Sequence, residues 1–275
     1  MSKLLSANFI RLRKMKFFWI GMGIMLAAGI HFPIDRYMDM KETGAVHHID
    51  NGFFACALFI GILMSIFCSL FIGTEYSDET IRNKIVTGQK RTSIYLSNFV
   101  TSAFVGIAMC VMFFLPYLCL GIPLLGFFKI NIELVFLFTM TVFMLSVAFS
   151  SIFTLISMLN HNKALTAVSC ILLAFGLLFI GAYLNSLLNA PKVIPIYILD
   201  EKNIPIASQE LNPYYLEGEK REAVQTLYDI IPGGQAIQCT SLEAVNLPLL
   251  PVYSFIIIGL TTGIGLYYFK KKDLK

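Results

Sequence analysis

Residues 134–191 read LVFLFTMTVFMLSVAFSSIFTLISMLNHNKALTAVSCILLAFGLLFIGAYLNSLLNAP, and Lys163 is their single Asp, Glu, Lys or Arg. An ionised side chain near the centre of a bilayer costs about 2.5–3.5 kcal/mol even on the lenient insertion scale, and a span needs about 20 apolar residues. The stretch therefore predicts two membrane spans. Asn160-His161-Asn162-Lys163 is a polar break short enough to make them an antiparallel hairpin.

Four more charge-free stretches, 17–34, 51–74, 92–128 and 244–269, join 134–162 and 164–191, and every Asp, Glu, Lys and Arg lies between them. The predicted fold is an all-α integral membrane protein, a single domain over 1–275. Its six transmembrane helices lie near 17–34, 52–73, 96–120, 134–159, 164–188 and 249–269. The third stretch is too short for two spans and a turn. Pro116, Gly121, Pro123 and Gly126 are expected to end its helix near Leu120 and leave an apolar segment at the outer surface.

Composition agrees: 57% of residues are hydrophobic and 14% charged, with a mean hydropathy of +0.73, against about 25% charged in soluble domains. The net charge of +4 is read by side of the membrane and not as a nucleic-acid footprint. With both termini cytoplasmic, 14 of the 21 Lys and Arg fall inside, as the positive-inside bias requires; 13 of the 17 acidic residues fall outside, although these contribute little to the orientation rule. Cys56, Cys68, Cys110, Cys119 and Cys170 lie in apolar runs and Cys239 in a polar one, so no disulfide framework or metal spacing emerges.

The basic start could open a secretory signal peptide, with Ala27-Ala28-Gly29 as small residues for cleavage, but the basic region is long and Ala-x-Ala is absent. Residues 3–16 instead predict an amphipathic interfacial helix. Leu5, Phe9 and Leu12 share one side, with Arg11, Arg13 and Lys14 towards anionic lipid headgroups. Trp19, Tyr95, Tyr267 and Tyr268 sit where an aromatic belt belongs.

The loop Gly73-Thr-Glu-Tyr-Ser-Asp-Glu-Thr-Ile-Arg-Asn-Lys-Ile-Val-Thr-Gly88 has the order of a short, deliberately terminated helix. Ser77 is the expected N-cap, Asp78 and Glu79 suit the positive end of the dipole, Arg82 and Lys84 the negative end, and Gly88 a left-handed C′ position. Asp78 and Arg82 are spaced i, i+4. Ile81 and Ile85 form a small apolar face suited to docking.

Glu75-Tyr76-Ser77-Asp78, Thr80-Ile81-Arg82-Asn83-Lys84, and Arg91 before Ile94-Tyr95-Leu96-Ser97-Asn98 resemble the permease of bacterial type 2 ATP-binding-cassette exporters. In that family this loop is the cytoplasmic coupling helix that sits on the ATPase subunit. The resemblance thus implies coupling contacts by Glu75, Tyr76, Ser77, Asp78, Thr80, Ile81, Arg82, Lys84 and Ile85. Glu79 departs from the pattern, since the resemblance leads one to expect glycine there in many relatives. Outside the membrane, Pro191, Pro195, Pro205 and Pro213 exclude a long helix, Glu219 to Ile231 has helical spacing, and Pro232-Gly233-Gly234 stops it. Asn212-Pro213-Tyr214-Tyr215-Leu216, Ile231-Pro232-Gly233-Gly234-Gln235-Ala236 and the basic ending from Phe269 to Leu274 resemble the family as well.

No GxxxxGK[ST] loop occurs, so the chain lacks the usual phosphate nest for ATP; the resemblance implies that ATP and Mg sit on a separate subunit and that this chain is a transport subunit and not itself an enzyme. Charges within the spans, typical of secondary transporters, are missing; His31 reads as interfacial. His47 and His48 near Asp50 are a weak metal pattern, and no HExxH is present. Ser146, Ser150, Ser151 and Thr154, with Gly21, Gly23, Gly259, Gly263 and Gly265, read as helix-packing residues. No substrate-binding residue is assigned.

The resemblance implies a multi-pass subunit of a bacterial plasma membrane that works with a cytoplasmic ATP-binding subunit and a second or related permease. Its expected cargo is an amphipathic antimicrobial peptide or lipid-like molecule. The rival reading is a membrane scaffold or sensor subunit that moves nothing.

Overall fold

The computed structural model describes residues 1–199 and 205–272; Asp273 and Leu274 of the basic ending lie outside the described residues. A helix α1 (Ser2–Lys14) precedes α2 (Lys16–Thr43), and the two are separate because Met15 turns extended (φ −85°, ψ 117°). Then follow α3 (Asp50–Phe53), α4 (Cys56–Ser77), α5 (Thr80–Val86), α6 (Arg91–Leu125), α7 (Ile132–Leu159) and α8 (Lys163–Leu188). An antiparallel hairpin of β1 (Val193–Leu199) and β2 (Pro205–Leu211) leads to α9 (Gly218–Ile230), α10 (Pro232–Ser241) and α11 (Leu249–Lys271). Among the described residues, six helical stretches are long and apolar enough to cross a membrane: α2, α3 with α4, α6, α7, α8 and α11. Each of the six charge-free stretches supplies one of them.

The span ending in α4 is the most enclosed, with 67% of its most apolar window buried against 17–44% for the others. It lies between α7 and α8, α6 packs on α2 and α7, and α11 runs along α7. Small residues permit the close approaches. A Cβ on Gly29 would lie 2.4 Å from the Phe113 carbonyl oxygen, and one on Gly265 2.0 Å from the Tyr95 hydroxyl. Gly21 is likewise packed, against Met109, whereas Gly23, Gly259 and Gly263 face open space and do not serve the packing expected of them. Ser146, Ser150 and Ser151 donate to helix carbonyls three or four residues back (2.7–2.8 Å), and Thr261 donates to Ser151 (2.9 Å) across α11 and α7. Their hydroxyls are spent on helix backbones and neighbours.

Three expectations about the helix ends remote from α5 are corrected. Helix α6 does not stop near Leu120 but runs through Pro116 and Pro123 to Leu125, where Gly126 (φ 84°, ψ −166°) ends it. Prolines are tolerated in a span when neighbouring helices hold the freed backbone, and Gly29 brings α2 against the Pro116 ring. Helix α2 runs past residue 34 to Thr43 and is closed by Gly44 in the left-handed region (φ 72°), whose N–H bonds to the Met40 carbonyl. Pro232-Gly233-Gly234 does more than stop α9. Ile231 turns extended, Pro232 opens α10 at the position where a missing N–H is harmless, and Gly233 lets α10 lie on the α8 backbone at Leu177.

Candidate functional site

The second half of α1, the starts of α6 and α8 and the ends of α4, α7 and α11 converge at the basic end of the bundle, where α5 connects α4 to α6. Ser77 does not cap α5. Its Oγ donates to the Gly73 carbonyl (3.1 Å), because α4 continues through it. The chain turns at Asp78 and Glu79, and Glu79 occupies the left-handed region (φ 52°, ψ 16°) before α5 begins at Thr80. That is the conformation glycine adopts without strain. The other end of α5 is as anticipated. Gly88 is left-handed (φ 81°), its N–H reaches the Ile85 carbonyl (2.9 Å), and the Gln89 N–H reaches the Lys84 carbonyl (3.0 Å). These two bonds make a Schellman motif.

The centre of the site is Glu75, whose side chain is fully buried in the last turns of α4. Its Oε1 accepts from Arg11 of α1 and from Lys84 of α5, and its Oε2 accepts from Asn98 of α6 (2.8 Å). Asn8 of α1 donates its side-chain N–H to the Asn98 side-chain oxygen Oδ1 (2.8 Å), and its own Oδ1 accepts from Lys84 Nζ at 3.4 Å. Arg11 also donates to the Phe71 carbonyl (3.1 Å) and lies 3.8 Å above the Phe71 ring. Burial pushes the Arg11 guanidinium below its usual range, while the Glu75 carboxylate pulls it back up. A buried carboxylate is tolerated only when paired and hydrogen-bonded. Here one such group ties α1, α4, α5 and α6 together.

Beside this cluster, the Tyr76 hydroxyl donates to the Met158 carbonyl at the end of α7. Lys272, just past α11, reaches both the Tyr76 hydroxyl and the Met158 carbonyl at 3.0 Å. Burial pushes the Lys272 amine down to about 8; desolvation and then the Lys272 charge hold the His161 imidazole below its ordinary range. Arg91 donates to the carbonyls of Phe269, Lys270 and Lys272, capping the C-terminal end of α11 with a cation as its dipole favours.

The structure thus divides the nine residues proposed from the sequence. Glu75 and Ile81 are buried, Tyr76, Thr80, Lys84 and Ile85 are half-buried, and Ser77, Asp78 and Arg82 are exposed. The Ile81 and Ile85 face packs into the chain's own core. The outward surface of this corner is made by Ser77, Asp78, Glu79, Arg82, Asn83 and Val86, and Arg82 faces Glu79 at 3.9 Å and not Asp78. Asn8, Arg11 and Asn98 were missed as site residues. Their signal was visible: an asparagine in the Leu4 and Leu12 stripe of α1, and a lone asparagine inside the apolar run of α6.

The opposite end carries a second polar cluster. Asp229, 1% exposed, accepts from Gln225 (2.8 Å) and Asn246 (2.9 Å), and its carbonyl accepts from Gln235, which in turn accepts from Ser254 of α11 (2.7 Å). His47 pairs with Asp39, and among the described residues no group of three or more His, Cys, Asp or Glu is gathered as metal ligands.

Comparison with curated proteins gave no match. A family model described as ABC-2 family transporter protein matches residues 4–189, from the start of α1 to the end of α8. That span contains the Glu75 cluster, α5 and five of the six membrane-length helices. Permeases of this family carry no ATP-binding domain of their own, and they partner with an ATP-binding subunit and often with another permease. The match covers more than half of the chain, which therefore belongs to the ABC-2 transporter family as a multi-pass membrane permease subunit.

Proposed function

We propose that this chain, as one permease domain, forms the membrane pathway of an ATP-driven exporter, with both termini cytoplasmic and α5 as the element that receives the ATPase subunit. The observation that carries this reading is the Glu75 cluster. A load on the exposed face of α5 passes through Lys84 to Glu75 and thence to α4, to α6 by Asn98 and to α1 by Arg11. Movement of an ATPase against α5 would tilt spans two and three and carry α1 along, a two-state shift driven by differential contact. In this reading α1 lies in the headgroup region, and Lys3, Arg13, Lys14 and Lys16, all exposed, meet anionic lipid. A second copy or a related permease completes the pathway. The cargo is an amphipathic peptide or lipid-like molecule, and the membrane is a bacterial plasma membrane.

The test is reconstitution of the chain with its ATP-binding subunit in proteoliposomes, following uptake of a fluorescent amphipathic peptide and peptide-stimulated ATP hydrolysis. Transport dependent on ATP is the expected result. Val86→Asp changes an exposed apolar side chain of α5 (78% exposed) and should weaken ATPase binding by about tenfold. Persistent hydrolysis without transport by a competent complex would favour the scaffold or sensor reading. Unchanged ATPase affinity in Val86→Asp and Arg82→Glu would remove α5 as the contact.

A further inference from the structure

Between the outer halves of α6 and α7 lies a groove of about 450 Å³ that opens sideways. Its floor is made by buried Phe53, Phe114 and Val135, with Phe53 and Phe114 in contact (4.8 Å between centroids). Its one polar lining residue, Thr139, has already spent its hydroxyl on the Val135 carbonyl (2.7 Å). The groove therefore offers a ligand dispersion contacts and no hydrogen bond. Both walls are membrane-length helices, so its mouth faces hydrocarbon.

The top of the groove has a different character. Phe128 closes it and packs on Phe53 (5.1 Å), and the next residue is Lys129. The Lys129 backbone N–H is held by the Asp50 carboxylate (2.9 Å), which fixes the α6–α7 loop over the groove. The Lys129 side chain is exposed and takes part in no ion pair or side-chain hydrogen bond among the described residues. The nearby carboxylate of Glu133 sits in the first turn of α7, where the helix dipole offsets it.

We infer that this groove is a phospholipid site, with an acyl chain lying between Phe136 and Leu115 and the phosphate of an anionic headgroup meeting Lys129. Concavity distinguishes it from a flat lipid-facing surface, where a chain touches one side only. An acyl chain in a cleft of this size is contacted on several sides, and the Lys129 ammonium, on a loop whose backbone is held by Asp50, selects its headgroup. The assignment rests on the six-span fold and not on transport activity, so its failure leaves the exporter reading standing.

The experiment uses the full chain in two formats. Native mass spectrometry from detergent should show one retained phospholipid per chain, with phosphatidylglycerol preferred over phosphatidylcholine. Lys129→Gln should reduce that preference about fivefold, the effect of one cation near a membrane surface. Thr139→Phe, which fills the groove, should abolish retention. For proteoliposomes, Trp19→Phe removes the chain's one tryptophan and Phe136→Trp places an indole at the mouth. Brominated phosphatidylglycerol in phosphatidylcholine should quench that indole at a lower mole fraction than it quenches one introduced by Phe255→Trp on the open face of α11. Identical quenching curves at the two positions, or lipid retention unchanged in Thr139→Phe, would overturn the site. Loss of a chain dimer in place of lipid in Thr139→Phe would assign the groove to a protein partner and overturn it as well.

Discussion

Glu75 and Lys84 stand nine positions apart on either side of the turn at Asp78 and Glu79, and their charged groups meet inside the protein, the lysine donating to Oε1 of the carboxylate. A connector between two spans needs no such bond to reverse direction. Its effect is to make α5 rigid with respect to α4, so that a load on one is felt by the other. The same carboxylate oxygen takes Arg11, which extends the rigid unit to a helix more than sixty residues earlier in the chain.

Removing the carboxylate should therefore hurt more than removing either cation. Glu75→Ala leaves Arg11 and Lys84 facing each other in a partly exposed site, and should cost about 2–3 kcal/mol, less than the deletion of one partner of a fully buried pair, because both cations keep some contact with water. Lys84→Met leaves Glu75 paired with Arg11 and Asn98, and should cost well under half as much. Equilibrium unfolding in detergent ranks the two variants, and a Glu75→Ala protein as stable as the parent would show that the cluster carries no stability.

At Glu79 the expectation runs the other way. A non-glycine residue held in the left-handed region is strained by about 1–2 kcal/mol, and its facing partner Arg82, at 3.9 Å with both side chains mostly exposed, adds little. Glu79→Gly should stabilise the turn by up to about 1 kcal/mol after the extra freedom of an unfolded glycine is counted. Glu79→Ala keeps the strain and should not gain. A melting temperature lower for the glycine variant than for the alanine variant would contradict the strain seen at this residue.

The Lys272 contact predicts a pH response at the end of α11. Burial lowers the folded amine to about 8 against an ordinary 10.5, so between these values the undocked tail holds a proton that the docked tail has lost. Docking is therefore disfavoured below pH 8 and strengthens as pH rises from about 8 to 10.5. Hydrogen exchange at the last turn of α11, corrected for intrinsic rates, should slow over that window. Lys272→Met should flatten the response. A response that persists in this variant would assign it to another group.

Much of this architecture was legible because ionised groups are excluded from hydrocarbon, so the gaps between them mark spans whatever packs against them. Helix ends were less legible. Pro116 and Pro123 look like terminators in isolation, but a neighbouring helix at Gly29 supports the chain past the first of them, and sequence spacing does not report a neighbour. The caps of α5 were half readable: the left-handed Gly88 follows from glycine's own freedom, whereas Ser77 lost its capping role because α4 ran one turn further. The partners of Glu75 were harder still. Asn8 and Asn98 carry no charge, and their meaning appears only when α1 folds back on α6 and brings them within 2.8 Å of each other.

The proposed sidedness is open to a direct chemical check. Ser77, at the turn before α5, and Lys220, in α9, are both exposed, and they lie at opposite ends of the bundle. Cys119 is the exposed native cysteine among the described residues, while the other five are buried, so a Cys119→Ala background quiets the label. In intact cells a membrane-impermeant maleimide should then modify Lys220→Cys and spare Ser77→Cys, and opening the cells should expose the second site without altering the first. The positive-inside bias demands this order, because the basic termini and the α5 loop share one end of the helices. Equal labelling of both positions in intact cells would remove the membrane between them and, with it, the place where an ATPase would meet α5.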